Sequence, residues 1–377
     1  MDEFDPTQHP HRRYNPLTDE YILVSPHRAR RPWLGQVEPP QPPSLPQYDP
    51  ACYLCPGNKR AGGIVNDAYT STFIFANDFA ALAPAPVPAP PGPAHPLLAS
   101  RTVHGRCDVI VFHPRHDLTL ARLDPSSISA VINEWIRVYK ERSSEDGIRY
   151  VQIFENKGAM MGCSNPHPHC QVWSMSDIPT IPGKELASFK RYASSESDVP
   201  ASDAPKAANN RPCLLCEYAH FEVSGSSGER ILTKNDSWVA LVPWWATWPF
   251  ELLVLPYRRH IRSISDLTPE EKSDFARILS EVTIRYDNLF FCSFPYSMGL
   301  HQGPISLEAA QVKKDCEDEC EVAHLHLHFA PPLLRSATVR KFLVGFELMA
   351  EAQRDLTPEQ GASRLRECGT KHYADSL

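Results

Sequence analysis

Apolar residues fall at helical spacing in two stretches that lie far apart in the chain. Ile128, Val131, Ile132, Trp135 and Val138 form one stripe, and Phe275, Ile278, Leu279, Val282 and Tyr286 form the other. Steps of three and four residues place such positions on one helical face. Each stripe is preceded by start signals. Asp124-Pro125 and Thr268-Pro269 each offer a capping side chain, then a proline suited to the first helical position. Thr268 and Glu271 also have the spacing of a capping box. A strand-like run follows each predicted helix, and then a histidine cluster. The first is His167-Pro168-His169-Cys170-Gln171-Val172-Trp173, and the second is His324-Leu325-His326-Leu327-His328-Phe329. Alternate strand residues share a face, so His167, His169 and Gln171 are expected together, with Cys170 and Val172 turned to the core. Pro166 and Pro168 favour extended conformations at the residues before them. Within a strand they also mark an edge or an irregular end.

The order of features repeats. Cys52-x-x-Cys55 is echoed by Cys213-x-x-Cys216, Asn77-Asp78 by Asn235-Asp236, and His116 by His260. The offset between halves is the same at the histidines (260 − 116) and at the helix caps (268 − 124). The expected fold is therefore α+β, one unit used twice, each copy an antiparallel sheet with a long helix. The expected division is 1–192 and 193–377. Pro39 to Pro50, Pro84 to Pro96 and Ala193 to Pro212 read as loops or linkers.

Composition narrows the function. The 377 residues are 42% hydrophobic and 22% charged, with a net charge of −7, so no basic footprint for nucleic acid is expected. No apolar run is long enough for a membrane span, and the acidic start reads as free of a signal peptide. There are 11 cysteines, several in C-x2-C pairs beside histidines. That pattern favours metal over disulfide and a cytoplasmic location.

Two histidines two apart can be a ligand and a nucleophile, two ligands, or ordinary polar residues of one face. Cys52 and Cys55 have the spacing that grips one Zn²⁺, which takes four N or S ligands. His116 and His167 could complete that set and leave His169 free to attack. By the same repeat, Cys213, Cys216, His260 and His324 could form a further set.

At this point the chain resembles a known family. Gly158-Ala-Met-Met-Gly162-Cys163-Ser164-Asn-Pro-His-Pro-His169-Cys-Gln171-Val-Trp173 is similar to the active-site signature of galactose-1-phosphate uridylyltransferases, in the histidine-triad superfamily. Val24 to Trp33, Phe294 to His301 and Pro331 to Phe342 extend the resemblance. It implies two tandem histidine-triad-like units and a ping-pong exchange. UMP from UDP-glucose would be held on His169, with release of glucose 1-phosphate, and galactose 1-phosphate would then take it to form UDP-galactose. It also implies that Gln171 contacts phosphoryl oxygens, where related hydrolases carry histidine. Substrate contacts are implied at Arg28, Arg31, Ala61, Asn77, Asp78, Asn156, Gly162, Cys163 and Ser164. Further contacts are implied at Lys341, Phe342, Val344, Gly345, Phe346, Glu347 and Gln353; position 346 is commonly tyrosine in relatives. A second metal, iron or zinc, is implied on Glu185, His301, His326 and His328, and is expected there rather than on the repeated cysteine set. A homodimer is implied too. The alternative is another histidine-triad nucleotidyl transferase, phosphorylase or hydrolase. Leu307 to Glu321, rich in like charges, reads as a solvated loop.

Overall fold

In the computed structural model, residues 3–30, 45–92, 95–194, 202–225, 228–306 and 321–376 are described. Arg31, residues 307–320 of the charged loop and parts of the other proposed linkers lie outside them. The first half runs β1 (His11–Asn15), β2 (Glu20–Val24), β3 (Phe73–Ala76), β4 (Gly105–Val111), α1 (Pro125–Ser143), β5 (Tyr150–Lys157) and β6 (His169–Met175). Then come α2 (Thr180–Ser194), α3 (Leu214–Ser224), β7 (Ile231–Lys234), β8 (Trp238–Leu241), β9 (Leu252–Pro256), α4 (Pro269–Phe290), β10 (Tyr296–His301) and β11 (His326–Ala330). The chain closes with β12 (Leu333–Ser336), β13 (Val339–Arg340), α5 (Phe346–Met349), β14 (Ala352–Arg354) and α6 (Pro358–Glu367).

Both long helices start where the sequence places them, because the caps form. The Asp124 carboxylate accepts from the amides of Ser126 and Ser127 at 2.9 and 3.1 Å. Thr268 Oγ1 accepts from the Glu271 amide at 3.2 Å, and Glu271 returns the bond at 2.8 Å. The apolar stripes of α1 and α4 are buried against one face of the sheet and against each other.

The repeat is present, but its two sheets are not separate. Nine strands form one sheet in the order β3-β4-β6-β5-β10-β11-β9-β8-β7. β5 and β10 join the halves as antiparallel neighbours, with Asn156 opposite Ser297. A buried ion pair crosses the join, Lys157 Nζ to Asp287 Oδ1 at 2.8 Å. β14 also returns from the far end of the chain to pair with β2.

Strand alternation sorts the two faces. Cys170, Val172, Leu327 and Phe329 go to the α1/α4 core, so His169, Gln171, His326 and His328 project from the opposite face. Over the second half that face is covered by α2 and α3 through Leu186, Phe189, Leu214 and Leu215. Over the first half, no helix of the described residues packs on Val109 and Val111, which meet Cys52, Leu54 and Cys55 instead. One difference from expectation concerns His167. β6 begins at His169, because Pro168 has no N–H to give to a ladder. His167 lies just ahead of the strand and is fully buried. β6 itself is flanked by β4 and β5, so the prolines mark an irregular strand end rather than a sheet edge.

Candidate active site and metal centres

The uncovered face opens into a cleft of about 500 Å³ whose lining includes Ala61, Asn77, Asp78, Ser164, His169 and Gln171. A smaller adjoining compartment adds Asn156, Gly162 and Cys163. The loop between β5 and β6 reaches the cleft through two glycines at positive φ, Gly158 (φ +88°) and Gly162 (φ +77°). A side chain is disfavoured at such angles, and at Gly158 a Cβ would also lie 3.1 Å from Pro295 Cβ.

His169 Nδ1 lies 2.7 Å from the carbonyl oxygen of His167. A carbonyl can only accept, so Nδ1 carries the proton and Nε2 the lone pair. Burial pushes the His169 imidazole below its ordinary value of 6.5, which keeps it neutral and nucleophilic. Gln171 is oriented in the same way. Its Oε1 accepts from Trp173 Nε1 at 3.0 Å and from Asn77 Nδ2 at 3.5 Å. Because an indole N–H is only a donor, the Gln171 amide is fixed with its NH₂ left as a donor at the cleft. Asn156 Oδ1 accepts from Ser297 Oγ at 2.7 Å, and in this orientation its NH₂ remains a donor. The expected pH dependence follows from the depressed His169 value. Nucleophilic attack by His169 would need the neutral imidazole, so a rate carried by it should hold its plateau below pH 6.5 and decline only at lower pH. Single-turnover rates across pH measure this, and a midpoint at or above 6.5 would contradict the assignment.

The cleft also contains residues that the motifs did not single out, among them Lys59, Arg60, Phe75 and Phe79. Arg60 is pinned, with Nη1 2.7 Å from Asp78 Oδ1 and its guanidinium 3.9 Å over the Phe75 ring. Asp78 is therefore committed to Arg60. Phe79 is 83% exposed and follows Asn77-Asp78 where the second half has Ser237. That break in the repeat was the available signal. Lys341, Phe342, Val344, Gly345, Phe346, Glu347 and Gln353 line neither compartment. Several of them gather elsewhere. Lys341 Nζ bonds the Gln353 carbonyl and lies 3.4 Å from Glu347 Oε1. Gln353 donates to Asp355 at 2.7 Å, and Arg28 lies 3.6 Å from the same carboxylate.

Beside the cleft, Cys52, Cys55, His116 and His167 are all buried, with their four ligand atoms within 4.8 Å of one another. Cys55 Sγ is 3.4 Å from His167 Nδ1 and 3.7 Å from His116 Nδ1. Ligands about 2.3 Å (S) and 2.0–2.1 Å (N) from a tetrahedral ion are separated by about 3.5 Å, so the set fits Zn²⁺. His167 Nε2 lies 2.8 Å from the His113 carbonyl, which directs the Nδ1 lone pair inward as a second shell does. Burial above all, with Cys52 adding to the first effect and His116 to the second, pushes the Cys55 thiol up to about 11 and the His167 imidazole down to about 4. A metal entering here displaces thiol protons.

On the covered half of the same face, Glu185 of α2 meets His301, His326 and His328. Glu185 Oε2 is 2.7 Å from His301 Nδ1, and its carboxylate is 3.6 and 3.4 Å from His326 and His328 Nε2. Burial would push the Glu185 carboxyl up, but the three imidazoles hold it well below its usual range. Neither His326 Nε2 nor His328 Nε2 makes a hydrogen bond among the described residues, and two orphaned buried nitrogens fit a cation at this point. Glu185 stands on the first side of the expected boundary at 192 yet completes a cluster of the second half.

A neutral, half-buried histidine opening onto a cleft of amide and hydroxyl donors, on a duplicated α+β sheet, defines a nucleophilic group-transfer site. Comparison with known proteins gives the family. Galactose-1-phosphate uridyl transferase N-terminal domains match residues 2–179, and the corresponding C-terminal domains match 185–377. A galactose-1-phosphate uridylyltransferase of Cryptococcus neoformans is 51% identical over 95% of this chain and 90% of its own. That of Neurospora crassa is 46% identical over 97% of both. A solved uridylyltransferase structure superimposes with a TM-score of 0.68 at 26% identity, covering 95% of this chain and 98% of that one. The chain belongs to the galactose-1-phosphate uridyl transferase family and is a transferase.

Proposed function

We propose that this chain moves UMP between UDP-glucose and galactose 1-phosphate in two displacements on His169. In the first, His169 Nε2 forms a P–N bond to the α-phosphorus of UDP-glucose, and the P–O bond to glucose 1-phosphate breaks. In the second, a phosphate oxygen of galactose 1-phosphate attacks the same phosphorus. The P–N bond then breaks, UDP-galactose leaves, and the histidine regains its lone pair. Splitting one transfer into two in-line steps is ordinary nucleophilic catalysis. The observation that carries this reading is the 2.7 Å bond from His169 Nδ1 to the His167 carbonyl, which aims a lone pair at the cleft. Gln171, Asn156 and Ser164 supply donors for the oxygens that gain charge in the transition state. The Cys52 set is read as zinc and the Glu185 set as iron or zinc. Both sets act by position, because four protein ligands leave no open coordination site. The units are read as 1–192 and 193–377. The described cysteines are all free thiols and no described helix is long and apolar enough to cross a membrane, which favours the cytoplasm.

The working form is read as a homodimer. The cluster around Lys341, Glu347, Gln353 and Arg28 lies outside its own cleft, beside the exposed Val344, Phe346, Leu348 and Met349. An apolar patch next to unused substrate contacts suits a partner's cleft. Co-expressed His169→Ala and Lys341→Ala chains, each inactive alone, should then recover about a quarter of parental turnover. Half of the dimers are mixed, and each mixed dimer has one intact site. The assay is UDP-galactose and glucose 1-phosphate formed in equal amounts. No recovery in mixed dimers contradicts the shared site, and free UMP as the main product contradicts the transfer reaction.

A further inference from the structure

The second half contains a geometric copy of the first cysteine–histidine set, and the reaction above does not use it. Cys213, Cys216, His260 and His324 each bring one ligand atom within 4.8 Å of the others. The His260 and His324 rings meet edge to face at 5.4 Å and 79°, against 5.2 Å and 83° for His116 and His167. Cys216 Sγ is 3.8 Å from His260 Nδ1, as Cys55 Sγ is 3.7 Å from His116 Nδ1. The supporting elements correspond as well. His260 follows β9 as His116 follows β4, and His324 leads into β11 as His167 leads into β6, although Cys213 caps α3 whereas Cys52 lies in a run of turns.

Simple packing accounts poorly for this set. Free cysteines pack well as small apolar groups, but imidazole nitrogens do not. His324 Nδ1 is held by the Leu325 carbonyl at 2.8 Å, so its Nε2 is the atom left to bind. His324 Nε2 is buried without a hydrogen-bond partner among the described residues, while His260 presents Nδ1 to Cys216. A buried nitrogen left in this way loses its hydration with nothing in return. Four N and S donors with no carboxylate are the donor set of a structural zinc.

We propose that Cys213, Cys216, His260 and His324 hold a zinc ion closed by four protein ligands, which fixes the start of β11 as the first set fixes the start of β6. His326 Nδ1 lies 2.7 Å from the His324 carbonyl, the same bond that His169 Nδ1 makes to His167. In the first half that carbonyl aims a histidine into the open cleft. In the second half it aims His326 at Glu185 under α2. The repeated zinc therefore positions a ligand of the Glu185 cluster, which occupies the place that the cleft has in the first half.

The test counts thiolate-bound zinc in the full chain as purified. A mercurial that blocks thiols releases zinc held by cysteine, and a chromophoric chelator measures it; the Glu185 cluster has no thiolate to block. Two equivalents per chain are expected from the parent and one from Cys213→Ser, with uridylylation of His169 by UDP-glucose retained in the variant. His260→Ala, at a half-buried position, repeats the count if Cys213→Ser does not fold. One equivalent from the parent, or an undiminished count in the variants, overturns the site.

Discussion

His169→Ala should lower turnover by about 10⁴-fold or more while the protein remains folded and binds UDP-glucose. Removing a covalent nucleophile ordinarily costs about 10⁴ to 10⁶ in rate, and the residual rate comes from binding and charge stabilisation. The side chain is half-buried at the first position of β6, and its one described hydrogen bond goes to a local carbonyl. Truncation therefore leaves the sheet register intact. Steady-state rates, a thermal melt and UDP-glucose affinity separate the outcomes. A variant that melts like the parent yet keeps a tenth of its activity would remove His169 from the mechanism.

The second large effect is expected at the first metal set. Cys52→Ser should lower bound zinc by one per chain and destabilise the protein by about 3 kcal/mol, within the range that loss of a metal produces. Without the ion, buried His167 loses its partner on Nδ1. Its carbonyl, which fixes the His169 tautomer, is then less well placed. Zinc content, a thermal melt and the rate of uridylylation should fall together. Unchanged zinc would refute the ligand set. A fall in zinc with no slowing of uridylylation would refute the positioning role.

The parts of the fold legible in the sequence were those with local causes. Asp124-Pro125 and Thr268-Pro269 start helices through bonds made within one turn. The repeat of cysteine pairs and histidines shows which residues converge, because metal chemistry demands particular side chains at particular spacings. The join of two sheets into one was not legible. β5 and β10 both mix polar and apolar residues, and nothing local says that Asn156 faces Ser297. The burial of Glu185 against three histidines depends on how α2 folds back over the sheet. Arg60 was missed because its role rests on Asp78 and Phe75, which are brought to it only by tertiary packing. Lys341 to Gln353, which the resemblance gives as substrate contacts, lie away from the chain's own cleft, and no local signal in the sequence foretells that placement.

The central claim is that His169 carries the uridylyl group between the two half-reactions. Incubating the protein with UDP-glucose alone, without acceptor, and weighing the intact chain tests it most directly. The expected result is a mass increase of one UMP, labile in acid as a phosphoramidate is, present in the parent and absent from His169→Ala. A parent with no adduct, or a His169→Ala chain that still gains it, would contradict the account.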